Sequence, residues 1–167
     1  MRAFFYLIYK KSETICGLDL SIHIIPLEKI EFEQWLPLWQ GYLTFYKTQF
    51  SDKQAQLSWQ RITHPEQTDM FGFALQMDDK IVGFVHLISH MSMWTEKPCC
   101  YLQDLYVDEA FRNQGLARQL IEHTYRFCEH DFDRVYWLTH ESNTTAQRLY
   151  DRIASKTGFI QYKKALH

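Results

Sequence analysis

The sequence predicts an α/β domain (α+β in some schemes) with a mixed central sheet flanked by about four helices. Three observations carry this. Short β-branched and aromatic runs alternate with longer stretches whose apolar residues recur every three or four positions. An Asp78-Asp79 turn joins two alternating runs into a hairpin. A small-residue turn, Arg112-Asn113-Gln114-Gly115-Leu116-Ala117, stands between an apolar strand and an amphipathic helix.

Residues 1–20 are assigned to an N-terminal extension whose structure the sequence leaves open, and the folded domain to 21–167. The run at 1–11 is too short to span a bilayer, and no small-x-small cleavage site follows it. The first strand is Ser21-Ile22-His23-Ile24-Ile25, ended by Pro26. From 27 to 50, Phe32, Trp35, Leu36, Trp39, Tyr42, Leu43, Phe45 and Tyr46 recur at helical spacing, which predicts one helix or two joined at Pro37. Most of that stripe is core. Tyr42 and Tyr46, one turn apart, are the pair whose hydroxyls are placed to line a substrate pocket.

A second helix begins with Ser51 or Asp52 as its N-cap and stops before His64-Pro65-Glu66. The hairpin follows, with strands at 71–77 and 80–89, then a loop at 91–98 carrying Trp94. Residues 99–107 form the next strand and 115–130 a helix that turns Ala117, Leu120, Ile121, Thr124, Phe127 and Cys128 inward. A strand at 134–139 leads to a helix capped by Ser142 or Asn143, which buries Ala146, Leu149 and Ile153 and ends near Gly158. Residues 159–163 are expected to complete the sheet.

At 167 residues, 46% hydrophobic and 16% aromatic, the chain is long and apolar enough for one core without staples. It should fold alone or as a homo-oligomer, and a homodimer is compatible with this composition. A net charge of −2 gives no sign of a general nucleic-acid or anionic-membrane partner and is compatible with a cationic amine. Cys16, Cys99, Cys100 and Cys128 show no C-x-x-C spacing and read as reduced thiols of a cytoplasmic protein. His86 and His90 are four apart but lie in a strand, so they read as ordinary imidazoles, and no metal is expected.

The turn before the third helix is suited to an anion. Unbonded N–H groups of a first helical turn and the positive end of the helix dipole point into it, and Gly115 and Ala117 leave room for a diphosphate. Further on, Asn143 and Tyr150 are seven residues apart on one helix face, about 10 Å along the axis, with Ala146 between them. A thin, amide-bearing chain fits along such a face.

Arg112-x-x-Gly115-x-Ala117 after a strand resembles the (Gln/Arg)-x-x-Gly-x-(Gly/Ala) signature of the GNAT superfamily of acyl-CoA-dependent N-acetyltransferases. Asn143-Thr144-Thr145-Ala146-Gln147-Arg148-Leu149-Tyr150 is similar to the Asn-x-x-Ala-x-x-x-Tyr block of the same superfamily. The resemblance implies the GNAT fold and acetyl-CoA as co-substrate. It places the pantetheine arm on the backbone of Leu105, Tyr106 and Val107, with Asn143 and Ala146 along its path. The pyrophosphate falls on the amides of Asn113, Gln114, Gly115, Leu116, Ala117 and Arg118, beside Arg112.

Tyr150 is the expected proton donor to the departing thiolate, since a phenol of ordinary pKa, about 10, outlasts a thiol of about 8.5. In the diamine acetyltransferases that residues 101–107 resemble, a Glu usually stands where this chain has Gln103. Gln accepts no proton, so Gln103 is left as a substrate contact. The base remains open among Asp104, which alternation turns to the opposite face, Glu141, and ordered water. Asp104 is also a candidate for binding the substrate ammonium. The segments 38–46, 149–151 and 157–159 resemble GNAT members acting on histone tails, polyamines or amino acids.

The reading is thus acetyl transfer to the primary amine of a small molecule by direct attack in a ternary complex. A protein lysine acetyltransferase is the rival within the class. A non-catalytic acetyl-CoA-binding sensor is the rival outside it.

Overall fold

The computed structural model describes residues 11–15 and 18–166. The apolar run at 1–10 and Cys16 lie outside them. The chain divides into two compact units, one through Trp137 and one from Leu138 onward.

The first unit is a six-stranded sheet in the order β1 to β6: Lys11–Ile15, Leu18–Pro26, Met70–Met77, Lys80–His90, Cys99–Val107 and Arg134–Trp137. Neighbours are antiparallel except β5 and β6, which are parallel. Parallel neighbours need a crossover, and helix α3, Leu116–Cys128, supplies it. β2 begins at Leu18, three residues before the expected start.

Helices α1, Phe32–Phe45, and α2, Asp52–Thr63, cover one face of the sheet. Trp35, Leu38, Trp39 and Leu43 of α1 pack there with Leu27, Ala74, Ile81 and Phe84. On the other face α3 buries Leu116, Leu120, Ile121, Thr124 and Cys128. Phe127, expected inside, is 44% exposed, although its ring meets Phe71 and Phe73.

α1 is one helix, with Pro37 inside it. Pro37 removes one i→i−4 bond near the first turn, at a cost of about 3 kcal/mol. Four buried side chains on one face, at about 1.5–3 kcal/mol each, exceed that. α2 starts on a reciprocal cap: Ser51 Oγ accepts from Gln54 N–H at 3.3 Å, and Ser51 N–H donates to Gln54 Oε1 at 3.0 Å. In the hairpin turn Asp78 takes a left-handed φ of 52°.

The second unit holds α4, Thr144–Ile153, and residues 154–166, which have no regular structure. The strand expected at 159–163 is therefore absent: Phe159, Ile160 and Tyr162 are 83%, 74% and 89% exposed. A five-residue segment with three apolar side chains becomes a strand only when a neighbour's edge receives it, and the sheet ends at β6. Ala146, Leu149 and Ile153 do share a face with Tyr150, but they are half-buried rather than buried. Among the described residues no helix is long and apolar enough to cross a membrane.

Candidate active site

Between β5 and α3 the chain makes a short helical turn at Glu109–Phe111 and then places Asn113 and Gly115 in the left-handed region, at φ of 63° and 76°. Gly115 is the residue before the first turn of α3, and nothing lies within 4 Å of where its Cβ would be. The first helical bond runs from Gln119 N–H to Gly115 C=O at 3.1 Å. Among the described residues, none of the six N–H groups from Asn113 through Arg118 has a partner within the chain. Six donors without a partner at the positive end of a 13-residue helix make a cradle of the kind that suits an anion.

Arg112 supports the cradle rather than facing it. Its Nε donates to the Val107 carbonyl at 3.0 Å, a terminal nitrogen pairs with Glu109 at 3.1 Å, and the guanidinium lies 5.4 Å from the centre of the Tyr106 ring. Arg118 pairs with Glu122 at 2.6 Å.

β5 pairs with β6 only at Cys99, Cys100, Tyr101 and Leu102. From Gln103 to Val107 that edge has no strand partner among the described residues. The edge from Leu105 to Val107 is therefore without a strand partner on the side away from β4, apart from the Val107 carbonyl that Arg112 takes, which suits an amide-containing chain laid beside a strand.

The register of β4 and β5 shifts between His86 and Leu87, so His86 faces Asp104 while Leu87 faces Leu102. Gln103 is the extra residue of a bulge. Simple alternation would put Leu102, Asp104 and Tyr106 on one face. The bulge replaces Leu102 with Tyr101, so that Tyr101, Asp104 and Tyr106 all face α1.

Asp104, 8% exposed, accepts from the Tyr42 hydroxyl at 2.5 Å through Oδ1 and meets His86 Nδ1 at 3.0 Å through Oδ2. His86, 5% exposed, receives the Trp35 indole N–H on Nε2 at 3.0 Å. Tyr46 stands against Tyr42 with ring centres 4.9 Å apart. Burial first, and the Asp104 charge second, push the Tyr42, Tyr46 and Tyr101 phenols up, which keeps all three protonated. Tyr101 packs on Tyr136 at 5.1 Å, and the Tyr136 hydroxyl lies 2.8 Å from His90 Nε2. The result is one buried carboxylate ringed by tyrosine hydroxyls on the α1 side of the sheet. Trp39 Nε1 is a buried donor with no partner among the described residues.

The family model described as "Acetyltransferase (GNAT) family" matches residues 31–154. The chain belongs to the GNAT acetyltransferase family. It is an acyl-CoA-dependent N-acetyltransferase. A D-amino-acid N-acetyltransferase of Saccharomyces cerevisiae is 35% identical to this GNAT chain over 142 residues, covering 83% of it and 87% of the relative. Among solved structures, an aminoglycoside N-acetyltransferase in complex with CoA superposes with a TM-score of 0.75 at 17% identity, covering 92% of this chain and 100% of the other. An aminoglycoside acetyltransferase from an uncultured soil metagenomic sample, in complex with sisomicin, gives 0.73 at 20% identity, with 89% and 97% covered. At these identities the structures speak for the fold.

Within this GNAT enzyme the first unit brings together Tyr42, Tyr46 and Asp104, three of the residues expected on the acceptor side. Gln103 is exposed at the bulge. The second unit holds the rest. Asn143 caps α4: its Oδ1 accepts from Ala146 N–H at 3.4 Å, and its Nδ2 donates to Thr139 Oγ1 at 3.3 Å. Both ends of that amide are thus engaged within the unit. Ala146 and Tyr150 lie on the half-buried face of α4, and Glu141 is exposed before it.

Sequence reasoning passed over Trp35, His86 and Tyr101. Trp35 looked like one more member of a core stripe, and His86 like an ordinary imidazole. The available signal was a histidine in the middle of Lys80–His90, a strand apolar on both sides of it.

Proposed function

We propose that this enzyme transfers an acetyl group from acetyl-CoA to the primary amine of a small cationic molecule, with amino acids, D-enantiomers among them, as the first class to test. The observation that carries the reading is Asp104: a buried carboxylate with two donors in place, in a rim of tyrosines that gives an ammonium both a counter-charge and aromatic faces. The yeast relative's activity on D-amino acids supports the choice of acceptor.

In this reading the cradle from Asn113 to Arg118 holds the pyrophosphate and the open edge at Leu105, Tyr106 and Val107 holds the pantetheine amides. The residues fit that group, because Gly115 leaves the cradle open and its N–H donors are unspent. Acetyl-CoA supplies the activated acyl group. Asp104 holds the ammonium and takes one proton from it, and the neutral nitrogen attacks the thioester carbonyl. As the C–S bond breaks, Tyr150 gives its proton to the thiolate while the second proton shed by the nitrogen restores the phenol. Cys99, Cys100 and Cys128 are free thiols, which supports a reducing, cytoplasmic setting.

The test is thiol release from acetyl-CoA across D- and L-amino acids, polyamines, aminoglycosides and lysine peptides. Turnover of small cationic amines is expected. Binding of acetyl-CoA with no thiol released by any amine would overturn the reading in favour of a sensor, and preference for lysine peptides would move it to a protein acetyltransferase.

A further inference from the structure

The charge of the acceptor subsite depends on a residue two hydrogen bonds away from it. An indole N–H only donates, so His86 Nε2, 3.0 Å from Trp35 Nε1, must accept and carries no hydrogen. The ring's one hydrogen is then on Nδ1, where it is donated to Asp104 at 3.0 Å. A second proton on Nε2 would set two N–H donors head to head inside a closed aromatic wall. Phe84 stacks on the imidazole at 4.3 Å, Trp39 lies 5.3 Å away, and Trp35 is fully buried.

We propose that Trp35 is a positioning residue for the acceptor: through its indole N–H it holds His86 as a neutral Nδ1–H donor, leaving the charge of Asp104 uncompensated for the substrate's ammonium. The proposal rests on Asp104 as the ammonium subsite. Were His86 an imidazolium, the pair would be neutral and the pull on a cation would be lost.

The groups facing the pair make this a one-charge cluster. From α1 come Trp35, Trp39 and Tyr42; Phe84 lies on His86's own strand, and the β3 register partner is Gly72, which has no side chain. From β5 come Asp104 itself and Tyr101, and beyond Tyr42 lies Tyr46. Apart from the carboxylate and the imidazole, the titratable groups in this set are phenols. Hence the protonation of one imidazole nitrogen decides whether the subsite carries a net negative charge.

The experiment uses the full chain with ¹⁵N-labelled histidine and compares the native protein with Trp35→Phe and with Trp35→Phe/His86→Asn. In the native protein, without substrate, the His86 Nε2 resonance should lie at the unprotonated position and Nδ1 at the protonated one, and in Trp35→Phe the Nε2 resonance should move toward the protonated position. Taking the ratio to native at each pH cancels the amine's own titration. On that ratio, Trp35→Phe should raise the amine KM about tenfold near pH 6 and less than about threefold near pH 9, with the KM for acetyl-CoA unchanged.

The double variant keeps a donor toward Asp104 but has no imidazole to charge, so its KM ratio should be flat with pH. A native Nε2 that is protonated near pH 6, or a Trp35→Phe defect equal at every pH, would overturn the proposal. If Trp35→Phe does not fold, the native spectrum still decides. That spectrum needs no acceptor, so a failure of the amine panel and a failure of this proposal are separate results.

Discussion

Replacing Asp104 with Asn separates charge from shape at the acceptor site. The amide is nearly isosteric and the network can re-form around it: its oxygen faces His86 Nδ1–H, which has no alternative acceptor, and its NH₂ faces the Tyr42 oxygen, whose hydroxyl hydrogen can turn toward Tyr46. The fold should therefore lose little. Weaker, uncharged hydrogen bonds are offset by relief from burying a carboxylate, leaving about 1–2 kcal/mol at most. For a cationic acceptor the arithmetic differs. An ammonium about 4 Å from a carboxylate at an effective dielectric constant of about 20 gains about 4 kcal/mol, or about a thousandfold in kcat/KM. The assay is thiol release with saturating acetyl-CoA, run against a small aliphatic amine and an arylamine that is neutral at pH 7, with urea unfolding of the same samples. The aliphatic amine should lose at least about a hundredfold and the arylamine less than about tenfold. Equal losses for both, or a loss below about tenfold for the aliphatic amine, would refute Asp104 as the ammonium partner.

Four other outcomes are expected. Gly115→Glu should abolish acetyl-CoA binding by calorimetry, because it puts a carboxylate into an anion cradle and strains a φ of 76°. Tyr150→Phe should lower kcat with acetyl-CoA affinity retained, and an unchanged rate removes Tyr150 from the chemistry. Gly41→Ala should destabilise by about 1–2 kcal/mol, because the new methyl overlaps the Tyr106 hydroxyl and comes within 2.9 Å of its ring; overpacking then exceeds the helix-propensity gain, and Tyr106→Phe in the same chain should return part of the loss in urea unfolding. His123, packed edge-on against Phe73 at 4.5 Å, has its pKa lowered from 6.5 to about 4, by burial first and by Arg126 second. Between those values the unfolded chain binds the extra proton, so the contribution is complete above about pH 6.5 and is lost as pH falls toward 4; it is worth at most about 3 kcal/mol, and His123→Phe should flatten that part of the stability profile.

What was legible in the sequence is what local chemistry decides. Ser51 with Gln54 caps α2, Asp78-Asp79 turns the hairpin, and Gly115 ends a strand-to-helix turn, each by the preferences of a few adjacent residues. The segment around Phe159 shows the limit of such reasoning. Its residues favour a strand, but pairing is a property of two segments, and propensity names only one of them. Trp35 and His86 are 51 residues apart in the chain, so their hydrogen bond is a product of helix-on-sheet packing and leaves no spacing to read.

Gln103 shows how one residue can mislead on identity and still organise the site. It stands where a glutamate was expected, so the sequence left the general base open among Asp104, Glu141 and ordered water. As the bulged residue it does two things. It offsets the register so that Tyr101, rather than Leu102, joins Asp104 and Tyr106 on the face covered by α1, with Asp104 opposite His86. It also follows Leu102, the last β5 residue paired with β6, so the open backbone edge at Leu105, Tyr106 and Val107 begins just beyond it. Removing the bulge by deleting Gln103 leaves Asp104 opposite His86 and on the face of Tyr101 and Tyr106, while the open edge is set by the end of β6 at Trp137. The deletion should therefore retain amine turnover, read by thiol release, and acetyl-CoA affinity, read by calorimetry. Loss of amine turnover with acetyl-CoA affinity kept would refute this account of the bulge.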